Sequence, residues 1–346
     1  MKKWMALFLA LTILCLSGCG AGQPEQEATE TFTDSLGRVV NVPATIRRIA
    51  VTGLTAQLTV FALCPDRLAG LADQWSDSAE AYLDEAYLNL PVLGQLYGGK
   101  GDLNPETLLE SGAEIIIDIG ESKEGMAAEL DTLQAQTGIP AIHLDATPAT
   151  TGDTYRTLGK LLHLEAEAEE LAAYCENTYN RICALANSVE KPRAIYITGD
   201  TGQSVIAKNS YHSEAFDLLC DNVAVVEAPS AKGTGNEVGL EQIFVWDPDY
   251  IVFAPGSVYA AVATDPAWQA LSAIAAGNYC EVPDAPYNWM GFPPGVQRYL
   301  GMLWLGKVLY GDAADYDLYD ETHAFFKRFY HCELTREQFA DLTANG

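Results

Sequence analysis

Residues 153–189 read DTYRTLGKLLHLEAEAEELAAYCENTYNRICALANSV, and this segment separates two halves of similar size. It contains no proline and a single glycine, Gly159, and its large apolar residues recur at the spacing of one helix face. Glutamates between 165 and 170 lie on the opposite side. Lys191-Pro192 ends the pattern. The spacing predicts one long helix within 151–190, with room for a short helix before it.

Short β-like runs alternate with helical patterns on both sides of this helix. They lie at 48–51, 69–71, 91–93, 115–117 and 141–144 before it, and at 194–197, 204–206, 224–226 and 250–253 after it. Strands that alternate with helices favour parallel sheets covered on both faces. We therefore predict an α/β protein with two Rossmann-like lobes and parallel-type sheets, joined by one long rigid helix. The ligand cleft is expected between the lobes.

These patterns also predict the domain boundaries. A leader at 1–18 is followed by a polar spacer at 19–31 that lacks large apolar groups. The N-terminal lobe covers 32–150 and begins with a small hairpin. The interlobe helix covers 151–190, and the C-terminal lobe covers 191–346. The last lobe ends in a helical tail whose apolar face is formed by Phe325, Phe326, Phe329 and Phe339.

Residues 1–18 have the pattern of an export signal. Lys2 and Lys3 precede an apolar run of about twelve residues, which is too short to span a membrane that needs about 20. The run ends in Leu16-Ser17-Gly18-Cys19, which resembles the lipobox of bacterial lipoproteins. That resemblance implies acylation of Cys19 and a lipid-anchored domain on the extracytoplasmic face of the cell membrane. The alternative is a plain secretory signal with a chance cysteine.

The charge of the chain restricts its partners. The formal net charge is −27, with 47 acidic and 20 basic residues. Such a surface repels nucleic-acid phosphates and anionic lipid headgroups, so we exclude nucleic acid and limit membrane contact to the lipid anchor. A small free anion would need a local basic pocket.

The sequence contains no convincing catalytic or metal-binding motif. The cysteines form no C-x-x-C pair, and no two histidines have the spacing of a metal site. Residues 94–100 match the start of a Walker A loop, but Gly101 replaces the Ser or Thr that would hold magnesium. We predict that the chain is not an enzyme and uses no metal or other cofactor. Cys64 and Cys220 lie among apolar residues and are expected to be buried thiols.

Several motifs occur in a distinctive order along the chain. They are FTDSLGR at 32–38, RIA at 48–50, GDLNPE at 101–106, GLEQ at 239–242, WDPDYI at 246–251, PP at 293–294 and RYLG at 298–301. Together they resemble the siderophore-, haem- and cobalamin-type solute-binding proteins of ABC importers, the class with one rigid helix between its lobes. The resemblance covers about residues 32–310. It implies an ABC permease and its ATPase as partners, and a ferric-siderophore-like or corrinoid chelate as ligand. We expect a monomer whose lobes close only slightly.

Two glutamates occupy equivalent positions in the two halves. Glu106 and Glu241 each open a short helix just before a β run, where a carboxylate faces the positive end of the helix dipole. The resemblance implies that both dock against arginines of the permease. The alternative is that both are only helix N-terminal acids.

The candidate ligand-binding residues lie in loops at the predicted cleft. Trp75, Tyr97 and Trp289 offer large flat faces, although each would serve equally well in the core. Tyr211 and His212 could bind a ligand through hydrogen bonds or act as a helix cap, and a direct iron bond is the minority view. Two cations complete the set. Lys208 and Arg298 could neutralise an anionic chelate, although Arg298 could instead be structural.

Two other functions remain open on the sequence. One is an ABC receptor of the same fold for molybdate or another oxyanion, a free metal ion or haem. The other is a surface lipoprotein without a transport role, which would need neither docking glutamates nor an aromatic cleft.

Overall fold

The computed structural model describes residues 28–97 and 101–345. The strands are β1 (Thr29–Thr33), β2 (Val39–Pro43), β3 (Ile49–Val51), β4 (Ile115–Gly120), β5 (Ala141–Asp145), β6 (Arg193–Thr198), β7 (Ser204–Val205), β8 (Asp221–Asn222), β9 (Asn236–Glu237), β10 (Tyr250–Phe253) and β11 (Tyr279–Glu281). The helices are α1 (Leu54–Leu63), α2 (Glu85–Leu88), α3 (Pro105–Ser111), α4 (Met126–Thr137), α5 (Thr151–Leu162), α6 (Glu165–Ser188), α7 (Glu214–Leu219), α8 (Leu240–Trp246), α9 (Tyr259–Val262), α10 (Pro266–Gln269), α11 (Ser272–Ala276), α12 (Arg298–Tyr310), α13 (Leu318–Phe329) and α14 (Arg336–Leu342).

The N-terminal end of the described chain forms the predicted hairpin. β1 and β2 pair antiparallel, with Thr29 opposite Pro43. Residues 29–31, which fall within the predicted spacer, therefore belong to a strand. Arg38 ties the hairpin to the first lobe, because its Nη1 donates to the carbonyl of Ala141 at 3.0 Å. The predicted export signal and Cys19 lie outside the described residues.

The first lobe is built on a parallel sheet in the order β3-β4-β5. Ile115 to Ile119 are buried, as expected for a parallel strand covered on both faces. The predicted strands at 69–71 and 91–93 appear only as single bridges, from Leu68 to Ile49 and from Leu71 to Val92.

The second lobe is built on a mixed sheet in the order β11-β10-β6-β7-β9, and β8 pairs with β6. The pairings among β11, β10, β6 and β8 are parallel, and β7 and β9 form an antiparallel edge. The strand predicted at 224–226 is wrong, since the strand in this region is β8 and ends at Asn222. The Asn222 side chain accepts from the backbone N–H of Ala224 and turns the chain, which leaves Val225 exposed.

The interlobe segment folds as a helical hairpin, in which the predicted long helix is preceded by a short one. α5 ends at Leu162 and is capped by His163, whose φ of 55° is left-handed, and α6 begins at Glu165. The two helices pack antiparallel: Arg156 pairs with Glu169 at 2.7 Å and also with Glu176. The short preceding helix is thus confirmed with 12 residues, and the long helix has 24. At 1.5 Å per residue α6 is about 36 Å long, and it packs against α1 in the first lobe and α7 and α12 in the second.

The predicted helical tail is confirmed as α13 and α14, and it packs back onto the first lobe. Phe326 lies 5.2 Å from the ring of Tyr82, and His331 Nε2 bonds the carbonyl of Phe61 at 3.1 Å. Phe325, Phe326 and Phe329 are buried in the main core. Across the described residues, no helix has both the length and the apolar character needed to cross a membrane.

Candidate functional site

The two lobes meet at the loop that follows β5. Tyr211 Oη donates to the carbonyl of Ala146 at 2.8 Å, and Tyr299 Oη donates to that of Pro148 at 2.8 Å. At a second contact Ser76 Oγ donates to the carbonyl of Pro286. The carboxyl ends of parallel strands are the usual ligand-binding edge of an α/β sheet, so the junction beside β5 is the candidate cleft.

Arg298 organises the wall that the second lobe contributes to this cleft. It begins α12 and is only 2% exposed. Its Nη1 donates to Glu214 Oε2 at 2.8 Å, and its guanidinium lies 4.9 Å from the centre of the Tyr211 ring. Burial raises the pKa of Glu214, and the charge of Arg298 opposes that rise. The three side chains therefore form one cluster in which the cation is already paired.

His212 lies behind Tyr211 in the same wall and is buried. Its Nδ1 is 3.1 Å from the carbonyl of Gly291, which can only accept, so Nδ1 carries the proton. Burial lowers the pKa of His212, and this histidine is therefore neutral near pH 7. The rings of Tyr211 and His212 lie 5.9 Å apart, so these neighbours in the chain are also neighbours in the wall.

Phe292 is a candidate site residue that the sequence analysis missed. It is 57% exposed, and its ring lies against Gly233, where a Cβ would come within 2.2 Å of Phe292 Cδ2. The same Cβ would lie 3.2 Å from His212 Cε1. The signal was present in the sequence as an aromatic residue between Gly291 and two prolines. Gly233 thus lies between the exposed Phe292 ring and His212, the chain neighbour of Tyr211.

The two predicted tryptophans belong to the core. Trp75 packs edge-on against Phe61 with 4.9 Å between ring centres, and its Nε1 donates to the carbonyl of Tyr87. Trp289 is fully buried, and its Nε1 donates to the carbonyl of Ala285 at 3.1 Å. With their faces covered and their N–H groups satisfied, these indoles hold the loops that carry them.

Tyr97 and Lys208 are not part of the Arg298 cluster. Tyr97 is half-buried against the outer core of the first lobe, where burial, followed by the neighbouring Glu129, raises its pKa. Lys208 Nζ pairs with Asp221 of β8 at 2.9 Å. Of the seven residues predicted to bind the ligand, the structure brings together Tyr211, His212 and Arg298.

A buried polar chain runs beneath the loops of the first lobe. His143 on β5 lies between two carboxylates, with Nδ1 2.5 Å from Asp118 Oδ2 and Nε2 3.0 Å from Asp145 Oδ1. Ser122 Oγ is 3.2 Å from the same Nε2. Burial acts to lower the pKa of His143, but the two carboxylates outweigh it and the pKa is raised.

This chain resembles a Ser-His-Asp triad in its atoms but not in its chemistry. A triad histidine must accept a proton from serine, which requires a free ring nitrogen. His143 has a carboxylate on both nitrogens and is therefore held as an imidazolium. The arrangement clamps β4, β5 and the Ser122 loop together.

The two predicted docking glutamates occupy matching places. Glu106 is the second residue of α3 and Glu241 the second residue of α8, and both are exposed. Each helix ends at a left-handed residue, Gly112 or Asp247, shortly before a parallel strand. Each helix also exposes apolar side chains close to the glutamate, namely Leu109 on α3 and Phe244 and Val245 on α8.

The side chains that could hold a metal ion or form a disulfide are dispersed in the described part of the chain. Among residues 28–97 and 101–345, no group of three or more His, Cys, Asp or Glu side chains is arranged to hold a metal ion. The cysteines in this part of the chain are unpaired, and the expected burial of Cys64 and Cys220 is confirmed. Burial raises the pKa of both thiols.

A family model described as "Periplasmic binding protein" matches residues 70–286. None of the curated protein sequences matches the chain significantly.

Solved structures give a consistent picture. An ABC transporter solute binding protein from Sulfurospirillum deleyianum is 25% identical, with a TM-score of 0.83 over 91% of this chain and 99% of that chain. The molybdate-bound periplasmic binding protein MolA of Haemophilus influenzae is 17% identical, with a TM-score of 0.70 over 88% and 99%. The petrobactin-binding protein YclQ of Bacillus subtilis is 16% identical, with a TM-score of 0.60 over 84% and 100%. The last two similarities show a shared fold.

Proposed function

Because the chain belongs to the periplasmic binding protein family of ABC importers, we propose that it is a lipid-anchored receptor that captures a ferric-siderophore-like or corrinoid chelate. The lipid is attached at Cys19, and the receptor works at the extracytoplasmic face of the cell membrane. It delivers the chelate to an ABC permease and performs no chemistry on it.

One observation carries the choice of a bulky ligand. An aromatic wall is formed by the Tyr211 ring, which lies over Arg298 and bridges the lobes through its hydroxyl, and by the exposed ring of Phe292 over Gly233. Aromatic faces bury a large area on a bulky, partly apolar molecule and add specific ring contacts. A bare ion would need converging polar ligands instead.

The ligand class is tested by thermal shift on the purified protein. The probes are a ferric tris-hydroxamate, a ferric tris-catecholate, haemin, cyanocobalamin and molybdate. A probe at a hundred times its Kd stabilises the folded state by about 2.7 kcal/mol. A shift with one bulky chelate supports the proposal, whereas a shift with molybdate alone favours an oxyanion receptor. No shift with any probe would favour a surface lipoprotein without a transport role.

We propose further that Glu106 and Glu241 dock the receptor onto the permease. Two exposed carboxylates at equivalent helix starts, each beside exposed apolar side chains, can fix orientation through paired contacts with arginines. The double substitution Glu106→Ala with Glu241→Ala is expected to abolish uptake of the bound probe by whole cells and to leave its Kd unchanged.

The matched control keeps the same loss of charge at other exposed positions. Glu110 lies on the same helix as Glu106, and Glu227 lies in an exposed loop of the second lobe. The double variant Glu110→Ala with Glu227→Ala is expected to transport normally. Equal uptake by both double variants would contradict the docking role.

A further inference from the structure

The two cations predicted to attract an anionic ligand are both neutralised within the protein. Arg298 pairs with Glu214 at 2.8 Å and lies beneath the Tyr211 ring, and Lys208 pairs with Asp221 at 2.9 Å. Arg298 Nη1 also lies 3.4 Å from the Tyr211 carbonyl. Its Nε has no partner among the described residues, but this atom is buried rather than presented to the cleft.

The facing loop of the first lobe, residues 120–125, adds no net positive charge, because it carries Glu121, Lys123 and Glu124. Glu121 is close enough to Tyr211 and Glu214 to affect both electrostatically, and Lys123 affects His212 in the same way. These two residues carry opposite charges, and His212 is neutral near pH 7. Arg298 and Lys123 are the cations near the aromatic wall, and the acidic groups beside them are Glu214, Glu121 and Asp217. Among the described residues, the charges around the wall therefore sum to no net positive charge, in a chain whose net charge is −27.

The lack of net positive charge around the aromatic wall has a direct consequence for ligand binding. An anionic ligand that enters a site without net positive charge loses its hydration and gains no compensating cation. A neutral ligand with large apolar faces loses little hydration and gains contact with the aromatic rings.

We propose that the ligand is a bulky chelate of zero or near-zero net charge, and that Glu214 sets this preference by neutralising Arg298. This inference rests on the proposed receptor function and deepens it. Glu214 acts through Arg298 as a specificity-determining residue. Ferric tris-hydroxamates and corrinoids fit this class, and tris-catecholates and oxyanions do not.

The test compares dissociation constants at pH 8, well above the ordinary pKa of a glutamate. Intrinsic fluorescence titration of the wild-type protein uses a ferric tris-hydroxamate and cyanocobalamin as neutral probes, and a ferric tris-catecholate and molybdate as anionic probes. We expect at least one neutral probe to bind at least about tenfold more tightly than either anionic probe. Glu214→Gln removes one negative charge and keeps the shape. It is expected to improve the affinity for the tris-catecholate about tenfold relative to the neutral probe, since a nearby unit charge is worth that much at an effective protein dielectric.

Two controls separate this role from general charge or folding effects. Glu227→Gln makes the same charge change at an exposed loop and is expected to leave the ratio of affinities unchanged. Glu214→Asp keeps the charge and is expected to keep the wild-type preference, so it tests the proposal even where Glu214→Gln unfolds.

Each outcome is decisive. Tighter binding of an anionic probe by the wild type overturns the charge preference and leaves the receptor function standing. An equal ratio in Glu214→Gln and Glu227→Gln overturns the role of Glu214. Binding of none of the four probes overturns the preference, and it overturns the receptor function as well if haemin also gives no thermal shift.

Discussion

Replacing His143 by leucine should be one of the most destabilising single changes in the first lobe. The imidazolium is fully buried and bridges Asp118, which is itself buried, to Asp145 at the surface. Removing one partner of a buried ion pair leaves the other charge uncompensated, at a cost of about 3–5 kcal/mol. This is a large share of a total stability of about 5–15 kcal/mol.

The pH dependence gives a second, independent signature. Folding raises the pKa of His143 above its ordinary value of 6.5. The ionic contribution is therefore fully present below that value and is lost as the pH rises through the folded pKa. The stability difference between wild type and His143→Leu should be largest near pH 6 and should narrow at alkaline pH.

Urea unfolding followed by circular dichroism at several pH values measures both effects. The double variant His143→Leu with Asp118→Asn should recover part of the loss, because it removes the orphaned charge and still accepts a hydrogen bond from Thr52. His323→Leu is the control: it breaks a surface pair with Glu333 and should cost no more than about 1 kcal/mol. A cost below about 1 kcal/mol for His143→Leu near pH 6, or a cost that does not change with pH, would refute the imidazolium assignment.

Three further predictions follow from other parts of the molecule. Phe292→Ala should weaken binding of a bulky chelate about tenfold, and it should leave the melting temperature within a degree or two because the lost ring is exposed. Titration and calorimetry of the same sample measure both effects, and an unchanged affinity would remove Phe292 from the site. Crystal structures with and without ligand should differ by a lobe rotation of only a few degrees, because α6 contacts both lobes and Tyr211 and Tyr299 bridge them; a wide hinge opening would contradict that stiffness. Burial raises the pKa of the Cys64 and Cys280 thiols to about 12, so a maleimide at neutral pH should label them only after denaturation. Mass spectrometry detects the label, and rapid labelling of either residue in the native protein would be inconsistent with this packing.

The alternation of apolar runs and helical patterns was sufficient to predict two lobes with parallel sheets, because that signal is local. The position of the break between the short and the long helix was hidden, because the left-handed residue is His163 rather than the glycine that usually marks a helix end. Residues 224–226 looked like a strand for the opposite reason: their side chains favour β structure, but a single side-chain acceptor, Asn222, turns the backbone first.

The candidate site was less predictable because its character depends on contacts between distant residues. A tryptophan in the sequence is equally compatible with a place in the core and a place in the cleft. For Trp75, only its packing on Phe61 in the folded chain shows that it lies in the core. Likewise, Arg298 was recognisable as a cation, but its neutralisation by Glu214 depends on two elements, α7 and α12, that meet only in the folded chain.

Because α13 and α14 return to the first lobe, the two lobes are connected twice along the chain. The chain passes between the lobes at α6 and again through the tail, and one continuous core includes both Val42 near its beginning and Phe329 near its end. Neither lobe can lose its packing without disturbing the other. Calorimetry should therefore record one cooperative unfolding transition. Cutting the chain between α12 and α13 should remove the second connection and separate that transition into two.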